Sequence, residues 1–368
     1  MEHADLRKRA KEATRHFCIK GETGDVCSWG SGHINDTFLV DGDIRYILQR
    51  MNQSIFTKPL EVMENITGVT TFLKGKIKEA GGDELRETLT VIFCEDGKPL
   101  YQDEHGDCWR MYYMIEDAEC YDQVETEQDF YESAKAFGNF GRLLSDYPAE
   151  KLHETIPGFH DTRARYDVFL RAAEADVCGR ANDVRKEISF FADRKDIAGV
   201  LGQMQAEGRL PLRVTHNDTK LNNIMMDRKT GKGICVIDLD TVMPGLVVHD
   251  FGDSIRFGAS TGAEDEPDLS KVSLDSHLFE LYVRGFLEGC QGSLTDTEIA
   301  MLAMGAKVMT YECGMRFLTD YLQGDTYFKI HREGHNLDRC RTQMKLVADM
   351  EANWQQMERI VEQAAKNI

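Results

Sequence analysis

At 368 residues, 42 % of them hydrophobic, the chain is long and apolar enough for two lobes with their own cores, which argues against disorder. Its formal net charge of −19 disfavours nucleic acid, whose phosphates need a basic face, but leaves room for a small anionic substrate, since charges beyond about 8 Å are screened. No apolar run approaches the roughly 20 residues of a membrane span, and "MEHADLRKRAKEATRHF" lacks a signal peptide's apolar core; ten scattered cysteines without a CxxC pair point to free thiols in a reducing cytoplasm.

In chain order, residues 5–17 read as an amphipathic helix and 27–52 as a β-meander, with Asp41-Gly42 as the hairpin signal. Residues 59–80 have helical spacing behind Pro59, and 87–119 alternate and turn as about three more strands. Long helices follow over 127–145, 160–177 and 185–207, interrupted by 213–242, which reads as two short strand pairs. After residue 272 the pattern is helical again, with a capping box from Thr295 to Glu298 and a last helix over 337–366. The expected organisation is a small β-rich lobe with one main helix over 1–117, then a larger helical lobe over 118–368.

The chemistry concentrates in "RVTHNDTKLNNIMMD" and the "CVIDLDT" that follows it. Phosphoryl transfer needs a carboxylate to accept the proton of the attacking hydroxyl, oxygen ligands for Mg²⁺, and a cation near the transferred phosphate. Asp218 suits the first task, Asn223 and Asp238 the second, Lys220 the third. The fifteen residues from Asn223 to Asp238 fit a strand, a Thr230-Gly231 turn and a return strand. Oxygen-only donors suit Mg²⁺ rather than zinc.

The pattern His216-x-Asp218 with Asn223, then a strand-borne aspartate, resembles the aminoglycoside phosphotransferase and choline kinase superfamily, relatives of protein kinases that phosphorylate small molecules. Within it, "WGSGHINDTF", "THNDTKLNN", "VIDLDTVMPG" and "DFGDSIRFG" most closely resemble the N-acetylhexosamine 1-kinases, in the same order along nearly the whole chain. The resemblance implies a bilobal, protein-kinase-like α+β fold and an ATP- and Mg²⁺-dependent enzyme. It would phosphorylate an N-acetylhexosamine at the 1-position, giving hexosamine 1-phosphate and ADP.

The resemblance gives His216 a bracing role and has Asp250 hydrogen-bond the catalytic loop. The Asp-Phe-Gly letters at Asp250 are not the metal-binding motif of protein kinases, because Asp250 lies 27 residues after Asn223, too far for one hairpin. Asp253 and Arg256 form either a local ion pair or a wall of the substrate site. Gly30 and Gly32 sit where a nucleotide-covering loop belongs, and the resemblance has His33, Asn35 and Asp36 reach the sugar or its phosphate; that Asn35 and Asp36 simply start a strand is a reading close behind. For the phosphate clamp, alignment favours Gln49 and charge favours Arg50, with Glu64 as partner to either and Glu61 a turn away. Met114, Ile115 and Glu116 are adenine contacts by position, through their backbone, at the hinge between lobes. Arg316, a cation among apolar helical residues, joins Tyr327 in the sugar site by resemblance, with a helix-to-helix salt bridge close behind.

Two rival functions differ in kind. The acceptor is another small alcohol, such as a different sugar, choline, an amino acid or an aminoglycoside; or the chain is a catalytically inactive nucleotide- or sugar-binding protein. Intact Asp218, Asn223 and Asp238 argue against the second, since a binding module needs no base.

Overall fold

A computed structural model describes residues 2–30, 34–121, 124 and 126–367. The chain folds as two compact units. Met1–Cys120, Asp146–Pro157 and Ile224–Pro244 form the first; Tyr121–Ser145, Gly158–Asn223 and Gly245–Ile368 form the second.

The first unit is built on an antiparallel sheet. Its elements are α1 (Glu2–Thr14), β1 (Thr23–Ser28), β2 (Asp36–Gly42), β3 (Tyr46–Arg50), α2 (Pro59–Glu79), β4 (Val91–Ile92), β5 (Tyr101–Gln102), β6 (Cys108–Tyr113) and β7 (Ala118–Glu119). The strand order is β1-β2-β3-β6-β4, with β5 also pairing β6. Alternation places Phe38 and Val40 of β2, Tyr46 and Leu48 of β3 and Trp109 and Met111 of β6 in one buried cluster, which Ala10 and Ala13 of α1 cover. The opposite face is polar at one point: register sets Gln49 of β3 across from Arg110 of β6.

The Asp41-Gly42 signal marks a real reversal, displaced by a residue or two. β2 continues through Gly42 and the chain turns over 43–45. Glycine is needed there because a Cβ would collide with the Glu22 carbonyl oxygen of the chain entering β1.

A second sheet pairs β7 with the hairpin strands Ile224–Asp227 and Gly233–Val236. One buried asparagine ties the segments of this unit together. Asn65 on α2 accepts the His153 N–H at 2.8 Å, and its Nδ2 donates to the carbonyls of His153 (2.8 Å) and Val242 (3.0 Å).

The second unit is helical: α3 (Glu127–Leu143), α4 (Thr162–Ala175), α5 (Arg185–Asp193), α6 (Val200–Ala206), α7 (Val247–Gly258), α8 (Ser276–Cys290), α9 (Asp296–Ala300), α10 (Leu302–Gln323), α11 (His335–Ala352) and α12 (Trp354–Ala365). Glycines let the main helix pairs approach at backbone distance. A Cβ on Gly138 or Gly289 would strike a carbonyl across the α3–α8 contact, and one on Gly252 or Gly305 would do so between α7 and α10. The capping box at Thr295 and Glu298 forms at the start of α9.

Two expected helices are interrupted. The stretch 185–207 changes to a 3₁₀ segment, Lys195–Gly199, which turns Ile197 and Ala198 inward. The last helix breaks at Asn353, whose backbone N–H and side-chain Nδ2 both bond the Asp349 carbonyl, at 3.0 and 2.9 Å, ending α11. No helix among the described residues is long and apolar enough to cross a membrane.

Candidate active site

In the second unit the strand Arg213–Thr215 leads into a loop that ends in a 3₁₀ turn, Leu221–Asn223. The loop is held by Asp250, in the first turn of α7, whose two carboxylate oxygens accept the N–H groups of His216 and Asn217, each at 2.7 Å. Burial pushes the Asp250 carboxyl up, and these two donors pull against it. Thr219 Oγ1 donates to the Asp250 carbonyl, and Ser254 Oγ to the Thr219 carbonyl at 2.7 Å. Asn217 adopts a left-handed φ of 65°, which asparagine tolerates better than most residues.

Asp218 then projects from a braced backbone. Its Oδ1 lies 2.7 Å from Lys220 Nζ, and Asn223 Nδ2 donates to its carbonyl (2.7 Å) and more weakly to Oδ2 (3.2 Å). His216 Nδ1 faces the Asp218 N–H at 3.3 Å, while its ring packs edge-on against Phe137 and Phe140. Burial alone would depress Lys220, but Asp218 and Asp253 raise it, so the ammonium stays charged. Asp253 is shared with Arg256, at 2.9 Å, and Arg256 reaches Glu264 at 2.7 Å. The local ion pair is therefore what forms at these two positions.

A second brace reaches the loop from behind. His160 Nδ1 lies 3.0 Å from Glu312 Oε1, and its Nε2 lies 3.4 Å from the Asn217 carbonyl. Glu312 also accepts Thr162 Oγ1 at 2.6 Å. Burial would raise this carboxyl, yet His160, Arg316 and Thr162 hold it down at about 2. One turn along α10 stands Arg316, with its Nη2 3.5 Å from the Tyr327 hydroxyl and no carboxylate ion pair among the described residues. The alternative of a helix-to-helix salt bridge therefore does not form.

The first unit carries the other polar cluster. Asp238 follows the strand Gly233–Val236 in a left-handed conformation (φ 56°, ψ 53°), which costs a non-glycine residue strain and is often kept where function needs it. Register sets Ile224 opposite Val236; Asn223 immediately precedes the one and Asp238 follows the other by two residues. Two residues on, Asp240 makes a bidentate, fully buried ion pair with Arg110 of β6, one arm at 2.9 Å. Gln49 Oε1 accepts from Arg110 Nε at 3.0 Å, and Asn35 Nδ2 donates to Asp240 at 2.8 Å. Burial would lower Arg110, but Asp240 raises it above the ordinary arginine value.

The remaining expected residues fall as follows. Gly32 and His33 lie outside the described residues; Gly30 has a left-handed φ of 74° and open space where a Cβ would go. Arg50 pairs with Asp36, its register partner, at 2.6 Å and with Asp107 at 2.9 Å, while Gln49 serves Arg110 and Thr37. Glu64, expected opposite one of them, instead lies 2.7 Å from His153 Nε2, and Glu61 pairs with Lys58 at 2.9 Å; both partners are nearer along the chain or the fold than Gln49 and Arg50, which are engaged elsewhere. Met114 N–H bonds the Arg45 carbonyl at 3.0 Å, Ile115 is buried, and Glu116 pairs with Arg45.

Asn223, of the second unit, carries an amide oxygen besides the Nδ2 it gives to Asp218, and Asp238, of the first, carries a carboxylate. Both are hard oxygen donors of the kind Mg²⁺ takes.

A family model described as "Phosphotransferase enzyme family" (APH) matches residues 25–273. The chain belongs to this family. Solved structures with the same fold include the microcompartment-associated aminopropanol kinase (16 % identity, TM-score 0.56), aligned over 95 % of this chain and 98 % of that one. Spectinomycin phosphotransferase in complex with ADP and spectinomycin matches at 13 % identity and a TM-score of 0.55, over 97 % of this chain and 98 % of that one. Choline kinase from Cryptosporidium parvum Iowa II matches at 12 % identity and 0.55, over 97 % of each chain. At such identities the likeness speaks for the fold: this APH phosphotransferase is a protein-kinase-like α+β protein.

Sequence reasoning missed Arg110, Asp240, His160 and Glu312. The second aspartate of "VIDLDT" was a visible signal for Asp240. Nothing local marked Arg110 as its partner, 130 residues away.

Proposed function

We propose that this phosphotransferase is an ATP-dependent kinase of the anomeric hydroxyl of N-acetylhexosamines. The observation that carries the reading is the Asp218 carboxylate, held between Lys220 and Asn223 on a loop that Asp250 fixes through two backbone N–H groups. Membership of the phosphotransferase family supports the reaction class. Arg316 beside Tyr327, without a carboxylate ion pair among the described residues, supports the acceptor together with the motifs resembling N-acetylhexosamine 1-kinases.

In the proposed reaction Asp218 accepts the proton of the 1-hydroxyl as that oxygen attacks the γ-phosphorus in line. The new O–P bond forms while the bond to the β,γ-bridging oxygen breaks, and ADP leaves. The ring oxygen makes an anomeric hydroxyl more acidic than an ordinary alcohol, so an unassisted carboxylate suffices as base. Lys220 neutralises charge on the transferred group. Asn223 and Asp238 are the proposed protein ligands of Mg²⁺, which when bound offsets charge on the nucleotide phosphates. Arg110 and Asp240 act at one remove, fixing the turn that carries Asp238. Arg316 donates to the N-acetyl carbonyl and ring hydroxyls, and Tyr327 offers a stacking face. Ten free thiols and the need for ATP fit a cytoplasmic setting.

ADP release from ATP–Mg²⁺ tests the reading across N-acetylglucosamine, N-acetylgalactosamine, glucose, galactose, choline and kanamycin. Turnover is expected with the two acetylated hexosamines. Turnover with choline or kanamycin alone would overturn the acceptor assignment.

A further inference from the structure

Two arginines of the helical unit converge on one residue. Arg165 of α4 donates through Nη2 to the Phe159 carbonyl at 3.1 Å, and the Arg316 guanidinium of α10 lies 5.7 Å from the Phe159 ring centre. Arg316 is also 5.8 Å from the ring of Tyr327 and 5.5 Å from that of Phe328. Arg316 thus lies against three rings, and one of those residues, Phe159, also gives its carbonyl to Arg165.

The nearby acids Glu312 and Asp161 act on Arg165 through charge, but their oxygens are engaged by other donors. Glu312 gives its oxygens to His160 and Thr162. Asp161 caps α4 through the Ala164 N–H. Asp320 receives the N–H groups of Thr326, Tyr327 and Phe328 and thereby fixes the segment that carries Tyr327. Among the described residues neither arginine has a carboxylate ion pair, and Arg165 Nε is a buried donor with no hydrogen-bond partner. Burial, and after it the like charge of Arg316, holds Arg165 below the ordinary arginine value. A buried donor left unpaired costs a chain stability. The cluster also belongs with the catalytic loop: Glu312 stands one turn before Arg316, and through His160 it reaches the carbonyl of Asn217, the neighbour of Asp218.

We propose that Arg165 joins Arg316 in a paired-guanidinium acceptor subsite that takes a carbonyl or carboxylate oxygen and rejects an ammonium. This deepens, and rests on, the assignment of Arg316 to the acceptor site. Guanidinium groups only donate, so a substituent oxygen accepts from the two forks. The oxygens of Glu312 are engaged by His160 and Thr162 and Asp161 caps α4, so the two guanidinium forks offer donors to a substituent oxygen while an ammonium meets no acceptor there. Aminopropanol and choline, the acceptors named for two structural neighbours, carry a cationic nitrogen that this subsite would repel.

The test is kcat/KM of the whole chain with ATP–Mg²⁺ and four acceptors: N-acetylglucosamine, glucose, glucosamine and glycerate. The first three differ only at C2, where they present an amide, a hydroxyl and an ammonium. Glucosamine is expected about 30-fold or more below glucose, the scale of a like charge brought to a partly desolvated pair. Arg165→Gln should narrow that gap to about 3-fold, through KM more than kcat. Arg165→Lys should keep the bias against glucosamine and lose part of the acetamide advantage, since a point charge replaces the fork. Glucosamine matching glucose in the wild-type chain would overturn the proposal while leaving the sugar-kinase reading intact. So would a folded Arg165→Gln chain with the wild-type ratio; should that variant not fold, the wild-type series and Arg165→Lys decide. Turnover of glycerate but no sugar would support the subsite and refute the N-acetylhexosamine assignment. Turnover of none of the four would overturn both.

Discussion

The proposed chemistry rests on a handful of side chains, and each has a distinct failure. Asp218→Asn keeps the shape and the hydrogen bond to Asn223 but removes the base. Turnover should fall by about 10²–10⁴-fold with nucleotide affinity nearly unchanged, as single-turnover kinetics and calorimetric titration would show. Retained turnover would refute the assigned base. Arg110 and Asp240 are different in kind. Arg110→Met strands a buried carboxylate and should cost about 3–5 kcal/mol in urea unfolding, whereas the double change with Asp240→Leu should cost less than the two singles summed.

His249 sets an acid limit. Burial first, then the neighbouring His160, depresses it from 6.5 to about 3, and its Nε2 has no hydrogen-bond partner. Below about pH 6.5 the unfolded chain takes up a proton that the folded chain refuses, so stability falls as pH falls, by about 1.4 kcal/mol per unit from this group alone. His249→Gln should flatten the dependence between about pH 6.5 and 4.5, measured as the urea midpoint. An unchanged slope would remove His249 as its cause.

Short spacing made some contacts legible in the sequence. Asp218, Lys220 and Asn223 lie within six residues, and their mutual contacts are local. The Asp250 brace came from resemblance, since nothing in "HDFGD" says that its carboxylate faces a loop 33 residues back. Glu64 shows the limit: helical spacing gave its helix but not the direction in which it points, and His153 was the nearer partner.

Elements were more legible than their ends. Alternation and 3.6-residue spacing gave the meander, the main helix of the first unit and the helical run of the second. The interruptions at Lys195–Gly199 and Asn353 were missed because apolar spacing continues through both. Glycines inside helices carried unread information. Gly289 of α8 faces the Lys135 carbonyl of α3, while Gly141 of α3 has nothing within 4 Å. Gly289→Ala should therefore destabilise by about 1–3 kcal/mol by forcing the helices apart. Gly141→Ala should stabilise by up to about 1 kcal/mol through helix propensity. Thermal unfolding of the two variants checks the pair; equal effects would mean that α3 and α8 do not meet at Gly289.

At the scale of the molecule, chain order and compact units do not coincide. Asp146–Pro157 and Ile224–Pro244 join the N-terminal sheet unit although helical chain surrounds both in sequence, and Asn65 is one reason they do so. No composition shift marks those returns. The residues of the proposed active site divide in the same way, with Asp218, Lys220, Asn223 and Arg316 in one unit and Asp238, Asp240 and Arg110 in the other. The measurement that bears most directly on the whole account is phosphorus NMR of the product made from ATP–Mg²⁺ and N-acetylglucosamine. A new phosphate resonance split by the anomeric proton, absent with Asp218→Asn, is the predicted result. Phosphate on any other oxygen of the sugar, or none on the sugar at all, would contradict it.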